Sequence, residues 1–341
     1  MRIKSLAWLF AVTVAALVIA MLVSRGGGLR SDPLAGKPVL PDVANRLQDV
    51  TRLSLVHGDQ KATLLRKGEL WSVEERDGYA ADTPKVRQTL LALADLTYVE
   101  PKTAQAASYA RLEVEDAGGS NSKSTLVTFA DERGALMGEV ILGKHRADQL
   151  GGGEGGIYLR KPGNTRSWLA RGNLDVVATT AGWLDKKLVD LPVAQVKEAV
   201  LTQPDGSKIT LTRDKPEEKL KLAELPNDKK LKYDSVLDDA AGVLGGLQLD
   251  DVRAAKGFDF PKDGIAKAHF TSFAGLVVNV ELADKDGASW ARFTVSGTGD
   301  AEKQATDLTA RLSPWVYALP SGKAKTLRDK LDDLVEPAKA S

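Results

Sequence analysis

The sequence has no cysteine, and only three histidines and 6% aromatic residues among its 341 positions. Without thiols there are no disulfide staples, no thiolate zinc or iron–sulfur sites, no cysteine nucleophile and no lipidated cysteine anchor. Excess charge of one sign is also missing, since 47 Lys+Arg face 46 Asp+Glu for a formal charge of +1. A nucleic-acid surface needs a basic excess to offset phosphate charge, so nucleic acid is excluded as a partner. The basic residues Arg2, Lys4, Arg25 and Arg30 fall in the first thirty positions, which hold no acid, and leave the rest of the chain slightly acidic. What is present is a globular balance of 43% hydrophobic and 27% charged residues, in a chain long enough for two folding units.

The usual marks of catalysis and cofactor binding are absent too. His57, His145 and His269 are far apart and lack metal-ligand spacing, so they are read as turn or strand residues. Gly151, Gly153 and Gly156 satisfy G-x-G-x-x-G, but a strand pattern follows them where a dinucleotide site needs a helix amino terminus. Ser321-Gly322-Lys323-Ala324 lacks the earlier glycine and the Ser/Thr of a phosphate loop, and no nucleophile elbow occurs. The adjacent acids Asp238-Asp239, Asp250-Asp251 and Asp332-Asp333 point apart on any regular element and are read as solvated faces. Asp284-Lys285-Asp286-Gly287 lacks the later ligands of a calcium loop and fits a hairpin turn. Trp71, Trp168, Trp183, Trp290 and Trp315 are read as packing residues. No catalytic, cofactor-binding or metal-ligating residue is assigned, and no enzymatic activity is expected.

Residues 6–23 (LAWLFAVTVAALVIAMLV) carry no charge, and at 1.5 Å per residue they span about 27 Å as a helix, close to a bilayer core. A cleaved signal peptide would have a shorter apolar region, and the small-residue site at Val18-Ile19-Ala20 would cut inside this run. The sequence therefore predicts a short cytoplasmic tail and transmembrane helix at 1–24, then a Gly/Pro linker at 25–43. The body of the chain is expected outside the cytoplasm of a bacterial inner membrane, with the bilayer as a partner through 6–23.

The body reads as two copies of one unit. Residues 50–55 alternate as a half-buried strand and turn at Gly58-Asp59 into Thr63-Leu64-Leu65-Arg66. Residues 196–201 turn at Asp205-Gly206 into Thr210-Leu211-Thr212-Arg213. A helix capped by Thr83, with Pro84 first and Val86, Leu90 and Leu93 on one face, has its counterpart after Asp234 in the stripe Leu237, Ala241, Leu244 and Leu247. Further strands follow at 124–129 and 139–142, and at 268–273, 277–282 and 289–295. Each unit is expected to close alike, with KLVDL at 187–191 and KLDDL at 330–334, and Leu327, Leu331 and Leu334 suggest a short final helix. The expected fold is α+β, an N-terminal transmembrane helix and two tandem repeats of mainly antiparallel sheet with packed helices, at 44–192 and 193–337.

These features together resemble the membrane-anchored bacterial family known as domain of unknown function 4340. The resemblance rests on the apolar N-terminal run, Leu70-Trp71-Ser72-Val73, Ala81-Asp82 before a Leu-rich helix, and Leu142-Gly143. It continues in the Gly-rich loop before Ile157-Tyr158-Leu159-Arg160 and in Asp185-Lys186-Lys187-Leu188, and covers nearly the whole chain. One departure is that the second unit lacks a counterpart of Trp71. The resemblance implies an extracytoplasmic accessory role beside ABC-type transport proteins, including ones similar to gliding-motility auxiliary components, whose subunits are the expected partners. It supplies no catalytic residues. The rival expectations are a module binding cell-envelope glycan or a small ligand, and a hydrolase with carboxylates converging from separate strands.

Overall fold

A computed structural model describes Thr13 and residues 32–146, 155–172, 174 and 176–338. Apart from Thr13, the apolar run at 6–23 lies outside the described residues, as do the glycines of 151–154. Among the described residues no helix is long and apolar enough to cross a membrane.

The fold is α+β with antiparallel sheets and few helices. One sheet is built from β1 (Arg52–His57), β2 (Gln60–Lys67), β3 (Leu70–Val73), β4 (Tyr79–Ala80), β5 (Thr97–Pro101), β6 (Thr125–Ala130), β7 (Leu136–Arg146), β8 (Gly156–Arg160) and β9 (Ser167–Arg171). Their order is β4-β3-β2-β1-β6-β7-β8-β9-β5. A second sheet uses β10 (Val196–Thr202), β11 (Lys208–Thr212) and β12 (Lys221–Leu222), then, beyond β13 (Lys229–Leu231), β14 (Asp251–Ala254), β15 (Ala266–Ser272), β16 (Leu276–Lys285), β17 (Ala288–Gly297) and β18 (Trp315–Ala318). Its order is β12-β11-β10-β15-β16-β17-β18-β14, and β13 pairs separately with β19 (Val335–Pro337). Apart from β4, the two orders match place for place. In both, the strand that follows the first helix returns to the far edge beside the last strand of the meander.

By compactness the described chain forms two units: one holds the described residues up to Val50 with Leu55–Asp59 and Gln88–Val176, the other Thr51–Ser54, Gln60–Arg87 and the residues from Val177 onward. In the first, Phe129, Ile141 and Ile157 are fully buried. In the second, Trp183, Phe270 and Tyr317 are, and Tyr79 meets Trp315 edge-on at 5.0 Å. Trp71, Trp168, Trp183 and Trp290 are all buried, as packing residues should be.

Alternation dictates which face each strand buries. Leu53 and Leu55 of β1, Ala268 and Phe270 of β15, and Val278 and Val280 of β16 are all under 5% exposed, while their neighbours in sequence are half-buried or, at Lys267, exposed. The β16–β17 turn places Asp286 at φ 52° and Gly287 at φ 78°, the left-handed pair that a two-residue hairpin twisting with its strands requires. The helix Thr83–Ala94 turns Val86, Leu90 and Leu93 inward.

Three expectations are corrected. The helix at 83–94 is capped by Asp82: its carbonyl accepts from Val86 N at 2.9 Å and its Oδ1 from Lys85 N at 3.0 Å, while Thr83 Oγ1 is drawn back to Trp71 N at 3.4 Å. The closing motifs do not adopt one conformation. Residues 187–191 are extended, because Leu188 N bonds Leu247 O at 2.9 Å and Leu247 N bonds Val189 O at 3.0 Å, whereas Leu331–Leu334 is one helical turn. Asp251 is not on a solvated face, since Arg76 grips it through Nε at 2.5 Å and Nη2 at 3.1 Å in a half-buried pair.

The stripe Leu237, Ala241, Leu244 and Leu247 is buried, but the α-helix spans only Val236–Ala241 and tightens to a 3₁₀ turn at Gly242–Leu244. Three glycines in that stretch, Gly242, Gly245 and Gly246, each cost helix stability relative to alanine.

Candidate functional site

A functional surface in a sheet protein without catalytic motifs is sought where a sheet face is left uncovered, and the two sheets differ there. In the first sheet the face opposite the core is roofed by residues 102–124, which contain the short helix Tyr109–Leu112. Gly143 on β7 admits that roof, because a Cβ there would fall on the carbonyl oxygen of Leu112 and within 2.8 Å of that of Glu113. Arg160 on β8 holds it down. Its Nε donates to Val114 O at 2.8 Å, its Nη1 to Asn164 O at 3.1 Å and its Nη2 to the Asp116 carboxylate, while Cζ stacks 4.6 Å from the Tyr109 ring. Beneath the roof the cross-strand row reads Leu126, Ile141 and Arg160, with Ile141 2% exposed and Arg160 4%.

The corresponding row of the second sheet is Lys267, Glu281 and Arg292. The match follows from the core pairs on either side, since Thr125–Leu142–Leu159 corresponds to Ala266–Leu282–Ala291. The covering segment, residues 255–265, is about half as long. It folds over Trp290, Val316 and Ala318, with Phe258 at 4.9 Å from Trp290. Arg292 stacks on Phe260 at 4.6 Å, as Arg160 does on Tyr109. Its Nε donates to Glu281 Oε2, and no hydrogen bond fills Nη1 or Nη2 among the described residues.

Beside that aromatic wall lies an open cleft of about 420 Å³ over β10, β15, β16 and β17. Its floor is two rows of side chains in register. One row runs Lys208, Thr202, Lys267, Glu281 and Arg292, the other Thr210, Val200, His269, Asn279 and Thr294. His269 is held from both sides, with Nδ1 2.8 Å from Asn279 Oδ1 and Nε2 3.1 Å from Thr271 Oγ1. Lys267 Nζ stands 3.8 Å from Glu281, which leaves three cations and one carboxylate in the first row. The site is therefore a preorganised polar floor with a basic edge. It offers hydrogen bonds and charge in fixed positions.

The other histidines do other work. His57 Nδ1 lies 2.9 Å from Ser124 O, and exposed His145 lines a cleft of about 270 Å³ with Glu113 and Lys123. The groove along Asp185–Asp190, about 560 Å³, keeps its polar groups for its own walls. There Arg311 donates to Lys187 O at 2.6 Å and to Leu188 O, and Gly246 N bonds Asp190 Oδ1 at 2.9 Å. Asp284 is engaged by Ser289 and Arg328, and Lys323 donates to Val243 O at 2.8 Å. Among the described residues no group of three or more histidine or carboxylate side chains is disposed to hold a metal ion.

Reading the sequence singled out none of Lys208, Lys267, Asn279, Glu281 and Arg292. The signal was present in the polar residues at every second position of β15, β16 and β17 and in the unequal lengths of the segments before β6 and β15. Alternation alone gives the outer face without saying whether anything covers it.

The fold and site thus define an antiparallel α+β protein with one roofed and one partly open sheet. The chain belongs to the family described as Domain of unknown function (DUF4340), which matches residues 71–268, more than half of its length. That match takes in Trp71, Asp82, Gly143, Arg160 and the strap at 185–191, as well as β10, β11 and the start of β15. No curated protein matches the chain.

Proposed function

We propose that this protein acts by binding, as a membrane-anchored extracytoplasmic accessory of an ABC-type transport assembly, and that the open face of its second sheet is where it binds. Residues 6–23 serve as the anchor, the chain lies in the bacterial inner membrane with its body outside the cytoplasm, and transporter subunits or auxiliary membrane proteins are the partners. The body is a tandem duplication at 44–192 and 193–337, these being units of descent, not of compactness. The matching strand orders support it, as does a pair of bonds in equivalent places. Thr63 N donates to Glu75 Oε2 at 2.8 Å, and Thr210 N to Glu224 Oε2 at 2.7 Å.

The observation that carries the binding reading is the contrast between Arg160, two of its nitrogens filled by the roof and the third by Asn164 O, and Arg292, stacked and aimed but left with two unfilled nitrogens among the described residues. A polar floor with set geometry and a basic edge suits recognition of a charged partner. Affinity purification from membranes tests it. Transporter or auxiliary membrane subunits should copurify with the parent and be lost in the combined His269→Ala, Asn279→Ala and Arg292→Ala variant. Loss of none of them, or a reporter fused after Ser341 active only in the cytoplasm, would overturn the reading.

A further inference from the structure

We infer that the open face of the second sheet takes an acidic peptide segment of a partner protein, seated as residues 112–116 of this chain are seated on the first sheet. This rests on the binding reading above and names the occupant. The first sheet shows what an arginine at this row position receives when its face is covered. Arg160 takes the carbonyl oxygens of Val114 and Asn164 and the carboxylate of Asp116, with an aromatic ring behind its guanidinium. Arg292 has the ring of Phe260 at the same 4.6 Å and has used only Nε, on Glu281. A guanidinium fixed by stacking and by one hydrogen bond presents its outer edge as a fork, the geometry that pairs with a carboxylate through two parallel bonds.

Charge points the same way. Where the roofed row has Leu126 and Ile141, the open row has Lys267 and Glu281, extended by Lys208 across Thr202. Five strands at about 4.8 Å spacing make this row roughly 19 Å long. Its net charge is positive; of the nearby acids, Glu198 lies two residues along β10 from Val200, on the far side of the His269 row, and Asp259 is paired with Lys285. Three cations along such a row fit a segment carrying two or three carboxylates at alternate positions. The roof itself is such a segment, Glu113-Val114-Glu115-Asp116. The row of Thr210, His269, Asn279 and Thr294 beside it supplies donors and acceptors for the backbone of an extended peptide. The occupant is a peptide and not a free anion, because the cleft of about 420 Å³ runs over four strands and offers these neutral groups beside the charges.

The probe is a labelled peptide with the sequence of residues 109–118, titrated by fluorescence anisotropy into the full-length chain held in detergent. Saturable binding is expected, weakening as salt rises. It should weaken at least about tenfold in Arg292→Gln and in Lys267→Gln, since each removes a charge-assisted contact. Arg292→Lys keeps the charge, loses the fork and should fall between. A peptide carrying Glu113→Gln, Glu115→Gln and Asp116→Asn should not bind. Thermal melts of each variant matching the parent exclude a folding defect. No saturable binding, equal binding of the amide peptide, or an unchanged affinity in Arg292→Gln overturns the acidic occupant. Tighter binding of inorganic phosphate or of phosphatidylglycerol vesicles also overturns it, assigning the face to a free anion or a lipid surface. If the peptide fails while the His269→Ala, Asn279→Ala and Arg292→Ala variant still loses its transporter partners, the face is a binding surface with another occupant and the broader reading stands.

Discussion

Arg160 and Arg292 occupy the same place in two sheets of the same strand order and lead different lives. The first is 4% exposed and satisfied by its own chain, while the second has half of its side chain in solvent. Strand order, register and the stacked ring are alike, so none of them causes the difference. The length of the segment that precedes β6 or β15 does. Residues 102–124 reach across β7 and β8, and the shorter 255–265 reaches Trp290 and, through Phe260, the side of Arg292. The rows beneath have followed suit, apolar where water is excluded and charged where it is not, because an unroofed Ile141 would expose apolar surface and a roofed Glu281 would bury a charge. A duplicated sheet can thus hold one copy closed as structure and leave the other available.

The largest effect that would break this comparison is expected at Gly143. Gly143→Ala drives a methyl group into the roof's backbone, which cannot move aside as a side chain would, and should cost about 3 kcal/mol or more in chemical denaturation. Leu282 corresponds to Leu142, so Ala283 stands where Gly143 does and already carries a Cβ, buried opposite Trp290. The arginines come next. Arg160→Ala strands two carbonyl oxygens and removes a buried stack, for about 2–4 kcal/mol. Arg292→Ala should stay within about 1 kcal/mol, as an ion pair half open to solvent contributes little. Equal losses at the two arginines would show that both faces are structural, and would remove the basis for a binding surface on the second.

A smaller effect sharpens the likeness between the halves. Glu75 and Glu224 each follow the hairpin and each accept from a strand N–H, at Thr63 and Thr210. Glu75→Ala and Glu224→Ala should both destabilise, by about 1.5–3 kcal/mol, the range for a hydrogen bond to a charged group. Glu75 should sit at the lower end, because its second oxygen is buried without a partner and gives back desolvation when removed. Urea denaturation of the two variants side by side measures this. A loss in one and none in the other would mean that the two bonds are not equivalent.

Much of the fold was legible because alternation and turn residues act locally. The two hairpins, the strand at Trp71, the helix at 83–94 and the Asp286-Gly287 turn follow from spacing within a few residues. Legibility failed where partners distant in sequence decide the outcome. KLVDL and KLDDL look alike, yet the first is pulled into extended pairing by 244–249 and the second winds one turn. Asp251 looked like a solvated acid because Arg76, its partner, is 175 residues away. Asp82 displaced Thr83 as the cap because the Thr83 hydroxyl is claimed by Trp71 N. The open face was the least legible feature, since it depends on what a loop fails to reach.

The two closing segments offer the smallest test, and the sign of its pH dependence is fixed. In the extended strap Asp190 is exposed and accepts from Gly246 N. Just before the helical one Asp329 is crowded, and burial, helped by the nearby Asp333 carboxylate, pushes its pKa up to about 6. A carboxyl whose folded pKa lies above its unfolded value is easier to protonate folded than unfolded. Its contribution is fully favourable below about pH 4, and is lost as pH rises through about 6. At pH 8 the ionised Asp329 is therefore a net cost. Half-buried as it is, that cost is discounted to about 1 kcal/mol. Asp329→Asn should accordingly stabilise the chain by about that amount at pH 8 and give no gain at pH 3.5, while Asp190→Asn gains at neither. Urea midpoints at the two pH values decide it. A gain at pH 3.5 equal to that at pH 8 would trace the effect to packing instead of ionisation, and the crowding assigned to the helical closing segment would have no electrostatic consequence.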